Sequence, residues 1–150
     1  MRDGQPGEQG RSQQQQQGTR TLAQQLGDEA EERAARYFEE KGFAILERNF
    51  VSRMGEVDLI VAKGLLLCFV EVRYRKSMAF GRPEETVCTE KRRKVIMAAY
   101  DYGRKQGLLE KRYIRFDVVA VTGRGERASV VHIEDAFDAE LPRLARTPFL

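Results

Sequence analysis

Cysteine and histidine are scarce in this sequence, and their scarcity excludes several common kinds of site. The only cysteines, Cys68 and Cys88, lack Cys-x-x-Cys spacing, so they build neither a disulfide framework nor a zinc site. Cys68 lies in the most apolar run and is expected to be a core residue. The single histidine, His132, lies among valines and is expected to be structural, which argues against a serine–histidine–aspartate site.

Long apolar runs and nucleotide-binding loops are also absent. No segment is long enough to span a bilayer, and the polar N-terminus lacks the apolar core of a secretory signal peptide. No Gly-x-x-x-x-Gly-Lys-Ser/Thr loop occurs, so nucleotide hydrolysis of that kind is not expected. We therefore expect a cytoplasmic protein, in a reducing compartment, that makes no membrane contact.

The composition is that of one folded domain. Of the 150 residues, 41% are hydrophobic and 33% are charged, which predicts a single core beneath a heavily charged surface. Residues 1–20 are rich in glutamine and glycine and are expected to form a disordered tail, because they cannot bury enough apolar surface to offset their ordering entropy. The folded domain is expected over 21–138, with a C-terminal tail over 139–150.

Apolar periodicity and turn residues predict two helices and five strands. The predicted elements are, in chain order, a helix over Thr21–Lys41, strands over Phe43–Phe50, Glu56–Ala62 and Leu65–Arg73, a helix from Pro83 to about Gln106, and strands over Ile114–Val121 and Ala128–Ile133. This α-β-β-β-α-β-β order predicts an α/β fold in which helices pack on a mixed sheet.

Two acidic residues, Asp58 and Glu71, fall inside segments that otherwise resemble buried strands. A buried charge is costly unless it is paired or binds a metal. The two are expected to lie near each other across a hairpin, at a diagonal offset, where each carboxylate raises the pKa of the other. A divalent cation would remove that repulsion, which makes Mg²⁺ or Mn²⁺ the expected cofactor.

The alternative is a half-exposed hairpin whose polar face simply carries Glu56, Asp58, Glu71 and Arg73. The six consecutive apolar residues of Leu65–Val70 favour the site, because they indicate a central strand that is covered on both faces. Two further acids are candidates for support. Glu29 lies near the apolar stripe of the first helix, and Asp117 could pair with Arg115 or with a lysine from a helix.

Basic residues are concentrated directly after the acidic pair. The net charge of the chain is only +3, whereas residues 73–94 hold eight basic and three acidic side chains, an excess of +5. Such a patch permits contact with nucleic acid, although a solvated helix face and flexible loop would have the same composition. Lys91 and Lys94 can share one helix face, while Arg92 and Arg93 point elsewhere. The candidate phosphate-contacting residues are Arg75, Lys76, Arg82, Lys91 and Lys94.

These motifs, taken in order, resemble the YraN-like family of uncharacterised bacterial proteins over roughly residues 22 to 122. That family in turn resembles the restriction-endonuclease-like superfamily, which includes archaeal Holliday-junction resolvases. The residues that carry the resemblance are Glu29, Gly-Glu-Val-Asp at 55–58, Phe-Val-Glu-Val at 69–72, Phe80-Gly81, Lys91 and Arg-Phe-Asp-Val-Val at 115–119.

The resemblance implies a nucleic-acid-binding fold and metal-dependent nuclease chemistry. It would make Asp58 and Glu71 the metal ligands, Glu29 a supporting acid and Lys91 a basic partner. The superfamily pattern ends in Glu-x-Lys, whereas this chain has Arg73. An arginine cannot act as a general base, but it can contact a phosphate through two hydrogen bonds.

Three hypotheses follow from the sequence. The first is a metal-dependent endonuclease acting on DNA, with branched or structured DNA as the expected substrate. The second is a nucleic-acid-binding module that has lost turnover through Arg73. The third is an adaptor whose basic patch meets an acidic protein surface. A homodimer would suit a two-fold symmetric DNA junction.

Overall fold

The computed structural model describes residues 18–77, 79, 81 and 87–139. Its elements follow the predicted order. They are α1 (Leu22–Glu40), β1 (Ala44–Val51), β2 (Glu56–Lys63), β3 (Leu66–Arg75), α2 (Thr89–Gln106), β4 (Tyr113–Thr122) and β5 (Ser129–Ile133). The predicted mixed α/β architecture is therefore confirmed, and this order is consistent with a nuclease-like fold.

The five strands form one sheet in the order β1-β2-β3-β4-β5. All neighbouring pairs are antiparallel except β3 and β4, which are parallel and are connected through α2. The strand β3 is thus central, as its apolar run predicts, and Leu67, Cys68, Phe69 and Val70 are fully buried. The prediction that Cys68 belongs to the core is confirmed.

Each face of the sheet packs against one helix, and strand alternation decides which side chain meets which helix. Phe69 and Phe116 belong to the core under α2, whereas Val70 and Val119 belong to the core under α1. Glu71 alternates with Val70 and so lies on the α2 face. Acidic residues of the two central strands therefore lie on opposite faces of the sheet, Glu71 under α2 and Asp117 under α1.

Both helices have identifiable ends. Thr21 and Gln24 form a capping box at the start of α1, in which each side chain bonds the backbone of the other residue. The helix α2 begins at Thr89, with Cys88 at its N-cap, and ends at Gln106. Its C-cap is Gly107, which adopts the left-handed conformation. The predicted start at Pro83 is therefore six residues too early for this helix, and Pro83 lies outside the described residues.

Some predictions concern residues that the structure does not describe. They include Arg82, Phe80 and most of the two predicted tails. In the described part of the chain, neither helix has the length and apolarity needed to cross a bilayer.

Asp117 is fully buried, and hydrogen bonds satisfy both of its carboxylate oxygens. Two nitrogens of Arg115 donate to it at 2.8 Å each, and the Asp135 amide donates at 3.0 Å. The His132 Nε2 lies 2.7 Å from Oδ2, while Nδ1 lies 3.3 Å from the Tyr37 hydroxyl of α1. The network joins α1, β4 and β5, which confirms both the Arg115 pairing and the structural role predicted for His132.

Replacing Asp117 by Asn should destabilise the fold. Burial alone would raise the pKa of Asp117, but the bonds from His132, Arg115 and the Asp135 amide outweigh burial and lower the pKa. A lowered carboxyl pKa adds stability above the ordinary value of 3.8, and this stability is lost as the pH falls through the folded-state value.

We expect Asp117→Asn to lower the free energy of unfolding by about 2–4 kcal/mol at pH 7, because it leaves the Arg115 charge without its buried partner. The difference from wild type should shrink below the ordinary Asp pKa. Urea unfolding across this pH range measures both effects, and a pH-independent difference would contradict the assigned role of the charge.

Candidate functional site

Asp58 and Glu71 meet where the pairing of β2 with β3 ends. Leu59 and Val70 form the last pair of the β2–β3 ladder, and Asp58 and Glu71 are the residues that follow this pair on the two strands. The Asp58 Oδ2 accepts a hydrogen bond of 2.7 Å from the Val72 amide. This side chain therefore replaces a backbone partner of the central strand, which fixes its carboxylate against β3. Burial raises the pKa of Asp58 even though the Val72 amide stabilises its charge.

Glu71 is buried, with 3% of its side chain exposed, and is incompletely satisfied. Its Oε1 lies 3.3 Å from Arg73 Nε and its Oε2 lies 3.7 Å from Lys91 Nζ, yet Oε2 makes no hydrogen bond. Burial and then the charge of Asp58 raise the pKa of Glu71 to about 8. Glu71 is thus not part of a half-exposed hairpin face, which was the alternative hypothesis. It releases its proton readily only when a positive charge compensates the negative charge of its carboxylate.

Lys91 extends from α2 to this pair of acids. Its Nζ lies 2.9 Å from Glu56 Oε1, in addition to its approach to Glu71. Burial lowers the pKa of Lys91, but the bond to Glu56 and the charges of Glu71 and Asp58 outweigh burial, so the pKa is raised. Lys91 is therefore a fixed positive charge and does not serve as a base.

The glycine of the Gly-Glu-Val-Asp motif lets α2 approach the sheet. A Cβ atom at Gly55 would lie 2.2 Å from the backbone oxygen of Lys94, a distance that no side chain tolerates. This direct contact between the β1–β2 turn and α2 brings Lys91 close to Glu56 and Glu71. Lys94 lies beside the same turn, so the predicted shared face of Lys91 and Lys94 is confirmed.

Two predicted groups of residues lie elsewhere. Arg124 binds Glu29 through two nitrogens at the surface, so Glu29 is not brought to the acidic pair. Glu31 is instead the acid of α1 that lies near Asp58. Burial and, less strongly, the Asp58 charge raise its pKa, while a side-chain hydrogen bond with Asn49 lowers it. The signal was available in the sequence, because Glu31 shares the helical spacing of the buried residues Ala34, Ala35 and Phe38.

The remaining basic candidates surround the carboxyl end of β3. Arg75 donates to the Gly81 carbonyl at 3.0 Å, and Lys76 is exposed. Lys94 is exposed and lies 3.4 Å from Glu90. Arg92 instead lies over the Phe137 ring at 5.6 Å, as expected for a residue that points away from Lys91.

The donor set fits a hard cation. Within the described ranges, no three acidic, histidine or cysteine side chains converge into a ready-made metal cage. Asp58 and Glu71 supply two carboxylates, and Mg²⁺ commonly takes one or two carboxylates and completes its shell with water and phosphate oxygens. The unpartnered Oε2 of Glu71 is an oxygen donor in a position that such an ion would satisfy.

The fold and the site define a mixed α/β protein with an acidic pair at the centre of its sheet. The chain belongs to the family described as Uncharacterised protein family UPF0102, whose model matches residues 30–121. It is similar to a UPF0102 protein of Anaeromyxobacter dehalogenans (50% identity, 78% of this chain and 87% of the relative) and to one of Myxococcus xanthus (44%, 77% and 90%). A UPF0102 protein of Legionella pneumophila is 38% identical over 79% of this chain and 98% of its own length.

Replacing Glu71 by Gln should stabilise the metal-free protein at alkaline pH. A carboxyl whose folded-state pKa is raised from 4.5 to about 8 destabilises the fold increasingly as the pH rises between those values. We expect Glu71→Gln to raise the free energy of unfolding by roughly 2–4 kcal/mol at pH 8 and to have little effect at pH 4.5. Denaturant unfolding in the presence of a chelator measures this, and a less stable variant at pH 8 would show that the neighbouring cations already compensate the charge.

Proposed function

We propose that this protein is a metal-dependent endonuclease that acts on DNA, with branched or structured DNA as its substrate. The observation that carries the proposal is Glu71, a buried carboxylate on the central strand with an oxygen that makes no hydrogen bond, beside the half-buried carboxylate of Asp58. Strongly shifted carboxyl groups with specific charged neighbours are concentrated at functional sites. The order of the motifs along the chain adds support by its resemblance to nuclease-like proteins.

Asp58 and Glu71 would hold Mg²⁺ or Mn²⁺, with Glu31 contributing a third negative charge. Such an ion would supply Lewis-acid chemistry, activating a water and neutralising charge on the phosphate. The Val72 amide keeps Asp58 oriented, so this ligand does not need to reorganise. A bound cation would also offset the burial and the Asp58 charge that raise the pKa of Glu71, so the site would exchange a proton for a metal ion.

Lys91 and Arg73 flank the carboxylates with positive charge. Lys91 supplies from α2 the ammonium group that Arg73 does not supply at the Glu-x-Lys position. The Arg73 side chain is 36% exposed, and its guanidinium would bind phosphate or the negative charge that develops on it. Arg75, Lys76 and Lys94 would add contacts to the phosphate backbone, which position DNA without reading its sequence.

A second candidate function is DNA binding without cleavage. Arg73 favours it, because an arginine stays protonated and cannot take a proton from the attacking water. The raised pKa of Lys91 has the same consequence, since neither cation beside Glu71 can act as a base. In this case the acids would hold a cation that only bridges protein and phosphate.

Cleavage of a labelled four-way DNA junction and a matched duplex tests the first function. Wild-type protein with Mg²⁺ or Mn²⁺ should cut the junction, and chelator should stop cleavage. Glu71→Gln should reduce the rate by at least about 100-fold, because one of two ligands is lost. Glu110→Ala, at an exposed acid outside the site, is the matched control and should cut normally. Salt-sensitive binding without cleavage in any metal would favour the second function.

Arg73→Lys tests whether position 73 limits the chemistry. A lysine beside Glu71 can orient the water and, in its neutral form, accept a proton. We expect the variant to cleave the junction about tenfold faster or more, as befits the gain of a general base. Single-turnover rates at several pH values measure this gain, and an unchanged or lower rate would assign Arg73 to binding alone.

A further inference from the structure

Some buried polar side-chain atoms of the described residues make no hydrogen bond, and they belong to the neighbouring strands β3 and β4. In the described part of the chain, the buried side-chain nitrogen and oxygen atoms that lack a hydrogen-bond partner are Glu71 Oε2, Arg73 Nε and Thr122 Oγ1. The first two belong to the candidate site. Thr122 belongs to neither the acidic pair nor the predicted basic patch, and its unused hydroxyl needs a physical explanation.

Sheet register places Thr122 beside the arginines. The parallel strands β3 and β4 pair Arg73 with Ala120 and Arg75 with Thr122. Residues paired in this way point to the same side of the sheet, and Thr122 alternates with Val121 of the core under α1. Arg73, Arg75 and Thr122 therefore share the α2 face with Glu71.

The strand ends are partly open to solvent at this point, because Thr122 and the Arg73 side chain are both partly exposed. Opposite Arg73 stands Ala120, whose side chain is only a methyl group. Both parallel strands end here, at Arg75 and Thr122, and the chain turns away at Gly123 with a φ of +91°. In open α/β sheets, ligands bind in the crevice outside the carboxyl ends of the strands.

We propose that Arg73 and Thr122 form a phosphate subsite next to the acidic pair. The guanidinium of Arg73 would neutralise one phosphodiester, and the Thr122 hydroxyl would donate a hydrogen bond to one of its unesterified oxygens. Arg75 adds positive charge from the adjoining position. The subsite rests on the proposed function, since it holds the backbone of the same DNA substrate, and it makes Thr122 a positioning residue.

Removal of the hydroxyl alone tests this subsite. Thr122→Val keeps the shape and removes a buried hydroxyl that has no partner in the free protein, so the melting temperature should be unchanged or higher. Binding of a fluorescent four-way DNA junction, followed by anisotropy in chelator, should weaken about tenfold, the loss expected for one hydrogen bond to a charged group. The slope of log Kd against log salt should not change, because no charge is removed.

Thr122→Ser is the matched control, because it restores the hydroxyl and should recover most of the affinity. Equal binding by wild type and Thr122→Val would overturn the subsite and leave the proposed function intact. A fall in melting temperature that accompanies the loss of binding would overturn it as well, because the hydroxyl would then be structural. Failure of the wild-type protein to bind any DNA would overturn the proposed function and the subsite together.

Discussion

The site depends on a carboxylate that the fold buries in its central strand. Glu71 lies on the central strand with only 3% of its surface exposed, and the nearby Asp58 adds a negative charge. Lys91 and Arg73 approach it without completing its hydrogen bonds. An arrangement of this kind costs folding free energy in the isolated protein, and natural proteins retain such costs mainly where a ligand recovers them.

On the opposite face of the sheet, a buried acid has a purely structural role. Asp117 is as deeply buried as Glu71, one strand away, but Arg115, His132 and a backbone amide satisfy it completely. Its pKa is lowered, whereas that of Glu71 is raised. The same sheet therefore neutralises one acid internally and leaves the other dependent on its surroundings. Whether the fold satisfies a buried acid therefore distinguishes a structural residue from a candidate site residue better than burial alone does.

Apolar patterning sufficed to predict the order of the elements, the central position of β3 and the proximity of Asp58 and Glu71, because strand periods and short turns are local properties. Other features depend on packing between distant segments. Glu29 and Glu31 are only two residues apart, yet they point to different sides of α1, and only the position of the sheet decides which of them meets Asp58. The sequence gives no signal for Thr122, because the lack of a hydrogen-bond partner for its hydroxyl depends on the packing around it.

Gly55 allows the β1–β2 turn and α2 to pack closely at one edge of the site. Since the β1–β2 turn touches the backbone of α2 without an intervening side chain, α2 cannot move closer to that turn without a steric clash. Because β2 runs antiparallel to β3, this contact lies at the end of the sheet where β3 and β4 finish. In the proposed function, DNA would therefore reach the acids past an edge that is already closely packed, rather than past one that opens to receive it.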